Sequence, residues 1–337
     1  MRIVLDAMGG DFAPQVPVMG AVQAVKELGV KVFLTGKKEL VESELKKYSY
    51  PEELIEVVDA SQSVSMDEQP SKALRKKDSS IHVGLNLVKE GKADAFVSAG
   101  NTGAVMAISL FTVGRIRGVE RPAITAVLPN LTGYTFLLDV GANVDCKPFH
   151  LLQFAVMGSA YARYVLGEER PRVGLLNVGE EEGKGNELAK EAYKLLKDAK
   201  DKGLNFIGNA EGRDIYSGKF DVIVCDGFVG NVCLKLSESI AKTLAKILKE
   251  EIDKHFISRI GAITLKPAIK GFKRRIDYAE IGGAPLLGLN APVIISHGSS
   301  NAKAIKNAIK TATRFVKSEL NRHIEEEIER FGKSNGS

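Results

Sequence analysis

The sequence predicts an α/β fold on a mixed, mainly parallel sheet. Three observations carry that expectation. Apolar strand-like runs alternate with helical patterns along most of the 337 residues. Several of the apolar runs stop at a loop of Gly with Asp, Asn or Ser, as strands do at the functional edge of an open sheet. One pair of runs is separated only by turn residues, which predicts a hairpin and makes the sheet mixed.

The clearest strand-to-loop junction is Ala93-Asp94-Ala95-Phe96-Val97-Ser98-Ala99-Gly100-Asn101-Thr102-Gly103-Ala104. A short apolar run ends at Ser98, and a helical pattern begins at Ala104. Asn101 or Thr102 is placed to cap that helix, and unpaired amides at a helix start attract an anion. A phosphate is the expected guest at Ser98, Asn101, Thr102 and Gly103, since the loop carries no basic side chain. The plainer alternative is an ordinary capped turn.

In chain order, a strand over 2–5 runs into the acidic, glycine-rich loop Asp6-Ala7-Met8-Gly9-Gly10-Asp11. A helix over 17–28, a strand over 31–34, a charged helix over 37–47 and a strand over 55–58 follow. The stretch 71–77 is basic through Lys72, Arg75, Lys76 and Lys77, which usually marks a solvated face. A helix over 81–89 leads to the junction above. The hairpin joins strands over 123–128 and 134–138 across Pro129-Asn130-Leu131-Thr132-Gly133. Its second strand ends in Asp139-Val140-Gly141-Ala142-Asn143, ahead of a helix over 151–166.

A strand over 172–178 opens the loop from Asn177 to Asn186 and a helix ending at 197. That loop superficially suggests a nucleotide site. It lacks the spacing of a Walker A motif, and Leu188 stands where a dinucleotide loop needs its third glycine, so ATP and NAD are not expected. Strands over 205–208 and 221–225 come next, the latter ending in Asp226-Gly227-Phe228-Val229-Gly230-Asn231 before a helix over 232–249. A last strand over 293–296 meets His297-Gly298-Ser299-Ser300-Asn301. One closing helix is expected from the apolar positions Ile305, Ile309, Ala312, Val316, Leu320, Ile324 and Ile328.

Composition fits an ordinary globular protein, 44% apolar and 26% charged. No apolar run spans a membrane and no cleavable leader is visible at Met1, so a cytoplasmic location is expected. Cys146, Cys225 and Cys233 have no metal-site spacing and suit reduced thiols. A net charge of +5 with no nucleic-acid motif gives no reason to expect a nucleic-acid partner. Residues 1–331 read as one catalytic domain with a short disordered tail over 332–337.

Five loops after strands carry Gly with Asp, Asn or Ser, and the expectation is that they converge at one sheet edge. With Leu5-Asp6-Ala7-Met8-Gly9-Gly10-Asp11, Ser98-Ala99-Gly100-Asn101-Thr102-Gly103-Ala104, Leu138-Asp139-Val140-Gly141-Ala142-Asn143, Cys225-Asp226-Gly227-Phe228-Val229-Gly230-Asn231 and Ile281-Gly282-Gly283-Ala284-Pro285-Leu286-Leu287-Gly288 in view, the chain closely resembles the bacterial phosphate acyltransferases of phospholipid synthesis. The likeness runs to about Phe331. It implies a fold similar to phosphotransacetylases and isopropylmalate dehydrogenases, a three-layer α/β/α sandwich acting as a homodimer. The implied reaction moves a fatty acyl group from acyl carrier protein to orthophosphate, without a metal or other cofactor.

For that reaction Lys184 and Asn231 are the expected catalytic side chains, donating to the phosphate or to the developing oxyanion. Asp6, Gly9, Gly10, Asp11, Asp139, Asn143, Asn177, Asp226 and His297 complete the active-site loops, the aspartates as holders of loops and donors. No nucleophile elbow is present, which argues against a covalent acyl-enzyme. The runner-up is an NAD- and metal-dependent decarboxylating dehydrogenase of the same fold, disfavoured because arginine is sparse in the loops.

The stretch from Lys254 to Ile276 has seven basic residues, Lys254, Arg259, Lys266, Lys270, Lys273, Arg274 and Arg275, and no acid. Phe256, Ile257, Ile260 and Ile263, then Pro267, then Ile269, Phe272 and Ile276 predict two short amphipathic helices. This insertion is expected to meet acyl carrier protein, the inner face of an anionic membrane, or the membrane-bound glycerol-phosphate acyltransferase that takes the product.

Overall fold

The computed structural model describes residues 1–254, 261, 264–276 and 282–332, without the side chains at 269 and 273–276. The chain runs β1 (Arg2–Asp6), α1 (Gln15–Leu28), β2 (Lys31–Gly36), α2 (Lys38–Leu45), β3 (Ile55–Asp59), α3 (Pro70–Ala73), α4 (Ser80–Lys89), β4 (Ala95–Ser98), α5 (Thr102–Thr112), β5 (Ala123–Pro129) and β6 (Tyr134–Leu138). It continues through α6 (Pro148–Leu166), β7 (Val173–Leu176), α7 (Glu187–Asp198), β8 (Phe206–Ala210), β9 (Val222–Val224), α8 (Gly227–Lys254), α9 (Lys266–Ile276), β10 (Ala284–Leu287), β11 (Val293–Ile295), α10 (Ala302–Lys317) and α11 (Leu320–Gly332).

The strands form one eleven-stranded sheet in the order β3-β2-β1-β4-β11-β10-β5-β6-β9-β7-β8. Because side chains alternate across a strand, each strand feeds two cores. Ile3 and Leu5 enter one and Val4 the other; Ala95 and Val97 oppose Phe96, and Val222 and Val224 oppose Ile223. Apolar faces of α1, α6, α7, α10 and α11 close the first core, and those of α4 and α5 close the second. The expected three-layer sandwich with a mixed sheet is therefore what forms.

Strand direction decides where the loops go. β1, β2, β3, β4 and β11 are mutually parallel, β10 runs against β11, and β5 runs against β10. The hairpin then reverses direction at β6, which β9, β7 and β8 follow.

Besides the short α3, where only a basic stretch was expected, three elements differ from the sequence expectation. The predicted single closing helix is two helices, broken at Ser318 and at Glu319, whose φ of 49° is left-handed. The apolar period continues across the break, so periodicity alone does not reveal it. α11 folds back onto α6, where Tyr164 stacks on His323 at 3.7 Å and Arg163 meets Glu327 at 3.4 Å. β10 was not expected as a strand: it contains Pro285, which ordinarily argues against a central strand. Lastly, α8 starts at Gly227, five residues before the predicted start at 232. Arg259 and the apolar positions 256, 257, 260 and 263 lie outside the described residues, as does the expected tail from 333 on.

Candidate active site

The first loop cluster is built on Asp6, which is 1% exposed at the end of β1. One carboxylate oxygen accepts the Met8 amide at 3.0 Å, and the other accepts the Ser98 hydroxyl at 2.7 Å. Ser98 Oγ accepts in turn from the Gly100 amide at 2.9 Å. Its hydroxyl therefore shapes the loop rather than pointing outward. Burial pushes the Asp6 carboxyl up from its ordinary 3.8, against the opposing pull of its hydrogen bonds. A Cβ on Gly9 would lie 2.6 Å from the Asp6 carboxylate and 2.7 Å from Gly100 N, so only glycine lets the two loops close on each other. The Asp11 amide donates to Gly298 O at 2.9 Å, which brings in the loop of His297. The His297 ring itself is engaged with Ser299, 2.8 Å from its hydroxyl.

Asn101 caps α5, its Oδ1 accepting from the Ala104 amide at 3.0 Å. Its amide nitrogen donates to Met66 O at 2.8 Å and Glu68 O at 2.9 Å. Asn101 thus fastens the segment 65–68 across the start of α5, a contact the sequence reading did not foresee because that segment has no periodic pattern. What remains for a ligand is the first turn of α5. Its leading amides, at Thr102 and Gly103, have no intrahelical acceptor, and the Thr102 side chain is exposed.

The second cluster is built on Asp139, fully buried at the end of β6. Its carboxylate accepts from the amides of Ile124 at 3.0 Å, Ala142 at 3.2 Å and Asn143 at 2.6 Å, and from Asn143 Nδ2 at 3.0 Å. Burial raises this carboxyl too. The first turn of α8 lies directly on the loop: Gly227 N donates to Asn143 O at 2.7 Å, and a Cβ on Gly230 would sit 1.9 Å from Asp139 O. Asp226 is the helix cap, accepting from the Val229 amide at 2.9 Å. Asn231 is consequently no cap. It stands one turn inside α8, exposed, beside Gly141.

The loop after β7 joins this second cluster, because β7 is the sheet neighbour of β9. Asn177 accepts from the Val178 amide at 2.8 Å and donates to Lys184 O at 3.0 Å, which folds the loop back on itself. Glu180 is engaged by Lys219 at 3.0 Å and Glu182 by Lys197 at 3.0 Å. The Lys184 ammonium is exposed and its only carboxylate neighbour among the described residues is Glu181, at 4.0 Å. It is a cation held by its backbone and available through its side chain.

The five loops do not share one edge of the sheet, as the sequence reading expected. The reversal at β6 puts Asp6, Ser98 and His297 at one edge, and Asp139, Lys184 and Asn231 at the other. Among the described residues no hydrogen bond links the two clusters. The thiols offer no alternative nucleophile. Burial pushes Cys146 up to about 12 and raises Cys225 and Cys233 as well, so none favours its thiolate. Among the described residues no group of three or more His, Cys, Asp or Glu is placed to hold a metal ion.

Comparison with known proteins adds the family. A family model described as a fatty acid synthesis protein matches residues 1–323. A phosphate acyltransferase from Aquifex aeolicus (strain VF5) is 55% identical over 325 residues, 96% of this chain and 96% of that protein. A phosphotransacetylase from Streptococcus pyogenes has the same fold, with a TM-score of 0.63 at 18% identity over 95% of this chain and 94% of that one. So has a 4-hydroxythreonine-4-phosphate dehydrogenase from Klebsiella pneumoniae, with a TM-score of 0.55 at 14% identity over 94% and 99% of the two chains.

Proposed function

Because the chain belongs to the fatty acid synthesis protein family and, within it, to the phosphate acyltransferases, we propose that it moves a fatty acyl group from acyl carrier protein to orthophosphate and releases an acyl-phosphate for phospholipid synthesis. The observation that carries the acceptor half is the start of α5, with unpaired amides and an exposed hydroxyl and no lysine or arginine among residues 98–103. Orthophosphate binds there, at Thr102 and Gly103, within a loop held by Ser98 and Asn101.

One oxygen of the hydrogen-phosphate dianion forms a bond to the thioester carbonyl carbon. The oxyanion collapses, the C–S bond breaks with its electron pair going to sulfur, and the phosphate's proton ends on the thiol. A thiol with a pKa of about 8.5 is a good leaving group and needs little acid help. The barrier lies in fixing the anion beside the carbonyl and stabilising the oxyanion, the role we give to Lys184 and Asn231. Asp6, Asp139 and Asp226 hold these loops rather than move protons, since their carboxylates accept loop amides, and Asp11 holds its loop through its own amide on Gly298 O.

The two clusters have to border one cleft for this chemistry. Six strand-to-strand steps separate β1 from β9, and at about 20–25° of twist per step the two nominally opposed edges rotate by about 120–150° relative to each other. That rotation turns both sets of strand ends toward a common side. The continuous sheet also supports residues 1–331 acting as one catalytic unit.

The exposed face of α8 supports a homodimer. Val229, Val232, Leu236, Ile240 and Ile247 recur at helical spacing and are 37–58% exposed. The helix buries only Gly227 and Gly230 against its own chain, leaving a length of about 42 Å with an uncovered apolar stripe. Two copies of α8 packed together would cover it. The basic segment from 254 to 276, of which Lys266 and Lys270 are exposed on α9, is read as a peripheral contact for an anionic membrane or an acidic partner. No helix among the described residues is long and apolar enough to cross a membrane.

The test is direct. Acyl carrier protein bearing a fatty acyl thioester should release free thiol only when phosphate is present, and hydroxylamine should trap an acyl-phosphate. Thiol release that is indifferent to phosphate would sink the assignment.

A further inference from the structure

The loop between α5 and β5 presents three arginines, Arg115, Arg117 and Arg121, all exposed. None of them meets a carboxylate within ion-pair distance among the described residues. The one acid of the loop, Glu120, is already taken: its carboxylate lies 2.9 Å from Nε2 of buried His150. His150 Nδ1 accepts the Lys147 amide, so Nε2 carries the proton that Glu120 receives.

This loop is held rigidly for a surface segment. Ile116 N donates to Gly288 O and Asn290 N to Gly114 O, both at 3.0 Å. From the other side, Gln153 donates to Gly118 O at 2.7 Å and accepts the Glu120 amide at 2.8 Å. The Arg115 guanidinium donates to Glu120 O. Ile116 and Val119 are tucked into the core, and beside them opens a shallow depression of about 570 Å³ lined by Leu110, Phe111, Arg115, Ile116, Arg117 and Val119. Phe111 is 73% exposed at its rim. Anchored in this way, the loop presents its three cations at low ordering cost, which is what recognition of a charged partner needs.

Its position joins it to both clusters. α5 carries the proposed phosphate site at its start and this loop at its end, about 16 Å apart for eleven residues. Arg121 leads into Pro122, whose carbonyl accepts Asn143 Nδ2 at 2.7 Å, so the loop abuts the Asp139 cluster.

We propose that the Arg115–Arg117–Arg121 loop, with Phe111, is the docking surface for the acidic body of the acyl carrier, positioned so that the carrier's thioester arm reaches the cleft beside Asn143. This rests on the carrier protein being the acyl donor. Charge complementarity selects the occupant: the loop has three cations and no unengaged acid, and the carrier is strongly acidic.

The experiment compares two donors, an acyl carrier protein and an acyl-pantetheine that has the same thioester without the acidic body. Arg117→Glu and Arg121→Glu should each lower the ratio of kcat/KM for carrier over kcat/KM for pantetheine donor by about tenfold, the lower end of what electrostatic steering contributes. Raising salt should narrow the gap to the parent enzyme, and Arg117→Lys should retain most of the ratio. An unchanged ratio in an active enzyme would overturn the docking proposal. So would a changed oligomeric state of the Glu variants in sedimentation, which would make the loop a contact between copies. A parent enzyme that turns over acyl-pantetheine but never the carrier would instead overturn the donor assignment.

Discussion

The Asp6 and Asp139 clusters are built by the same device and left in different states. Each has a buried aspartate at the carboxyl end of a strand, its charge offset by loop donors, and a glycine that lets a neighbouring loop come into van der Waals contact. Around Asp6 the polar side chains are consumed internally: Ser98 by Asp6 and Gly100, Asn101 by Ala104 and the segment 65–68. Among the described residues, backbone amides, the Thr102 hydroxyl and the exposed Asp11 carboxylate are left over. Around Asp139 the backbone is consumed, and the side chains of Lys184 and Asn231 are left exposed. An amide array suits a resting anion and long side chains suit a charge that appears later. The difference in leftovers therefore divides binding from catalysis.

The largest effect should come from removing the better-satisfied carboxylate. Asp139→Ala orphans the buried amides of Ile124 and Asn143 and the half-buried amide of Ala142, leaves Asn143 Nδ2 with Pro122 O as its acceptor, and should cost about 3–5 kcal/mol of unfolding free energy. Asp6→Ala orphans fewer donors and should cost about 1–3 kcal/mol. Urea denaturation of both variants checks the order, and equal costs would remove the distinction between the clusters.

Next in size is the catalytic split. Lys184→Ala and Asn231→Ala should each cut kcat by about 10²-fold, the scale of losing one preorganised donor to a developing charge, with the fold intact. Thr102→Ala should instead raise the KM for phosphate by about tenfold, the lower end for one hydrogen bond to a charged group, because the α5 amides remain. Steady-state kinetics with phosphate varied separates the two. A Lys184→Ala variant impaired only in phosphate KM would move Lys184 into the binding half.

Much of this was legible in the sequence, for identifiable reasons. The alternation of apolar runs gave the layers, because a strand with both faces buried and an amphipathic helix leave different periods. The loops of Asp6, Ser98, Asp139 and Asp226 were legible because glycine, acid and amide residues gather where a chain leaves a strand. What escaped was set by long-range pairing. The hairpin was predicted, but the way β5 enters the sheet depends on β10 lying antiparallel between β11 and β5, and that pairing put three of the five loops at the other edge. β10 is held between two partners despite Pro285, so pairing overrode local propensity. The early start of α8 rests on Asp226 as cap and on Gly230 fitting over Asp139 O, a contact across 91 residues that no local pattern encodes.

A smaller effect concerns pH. Burial raises Asp6 above 3.8 in the folded state, so folding takes up a proton at this group. Its contribution to stability is therefore full below 3.8 and declines as pH rises through the raised folded value. Asn cannot titrate, so the stability of the parent relative to Asp6→Asn should fall as pH rises through that window. Denaturation at a series of pH values measures it. A relative stability that rises with pH would mean that the hydrogen bonds from Ser98 and Met8 outweigh burial.

The smallest effect on chemistry should come from the part of the chain farthest in character from either cluster. On α9, Lys266 and Lys270 are exposed, flanked by Leu265 at 58% and Phe272 at 57% exposure. A helix with apolar and basic residues both facing solvent suits the headgroup region of an anionic bilayer, where each lysine contributes about 1 kcal/mol. If the Arg115–Arg121 loop receives the carrier, the charges of α9 are left for that surface. Lys266→Glu combined with Lys270→Glu should then weaken binding to anionic vesicles by about 10–30-fold, from about 1 kcal/mol per lysine, with kcat unchanged. The KM for acyl carrier protein should shift less than it does in Arg117→Glu, and neutral vesicles should bind both proteins equally. A double variant that loses carrier affinity but keeps its vesicle binding would exchange the two assignments, giving α9 to the carrier and the arginine loop to another anionic partner.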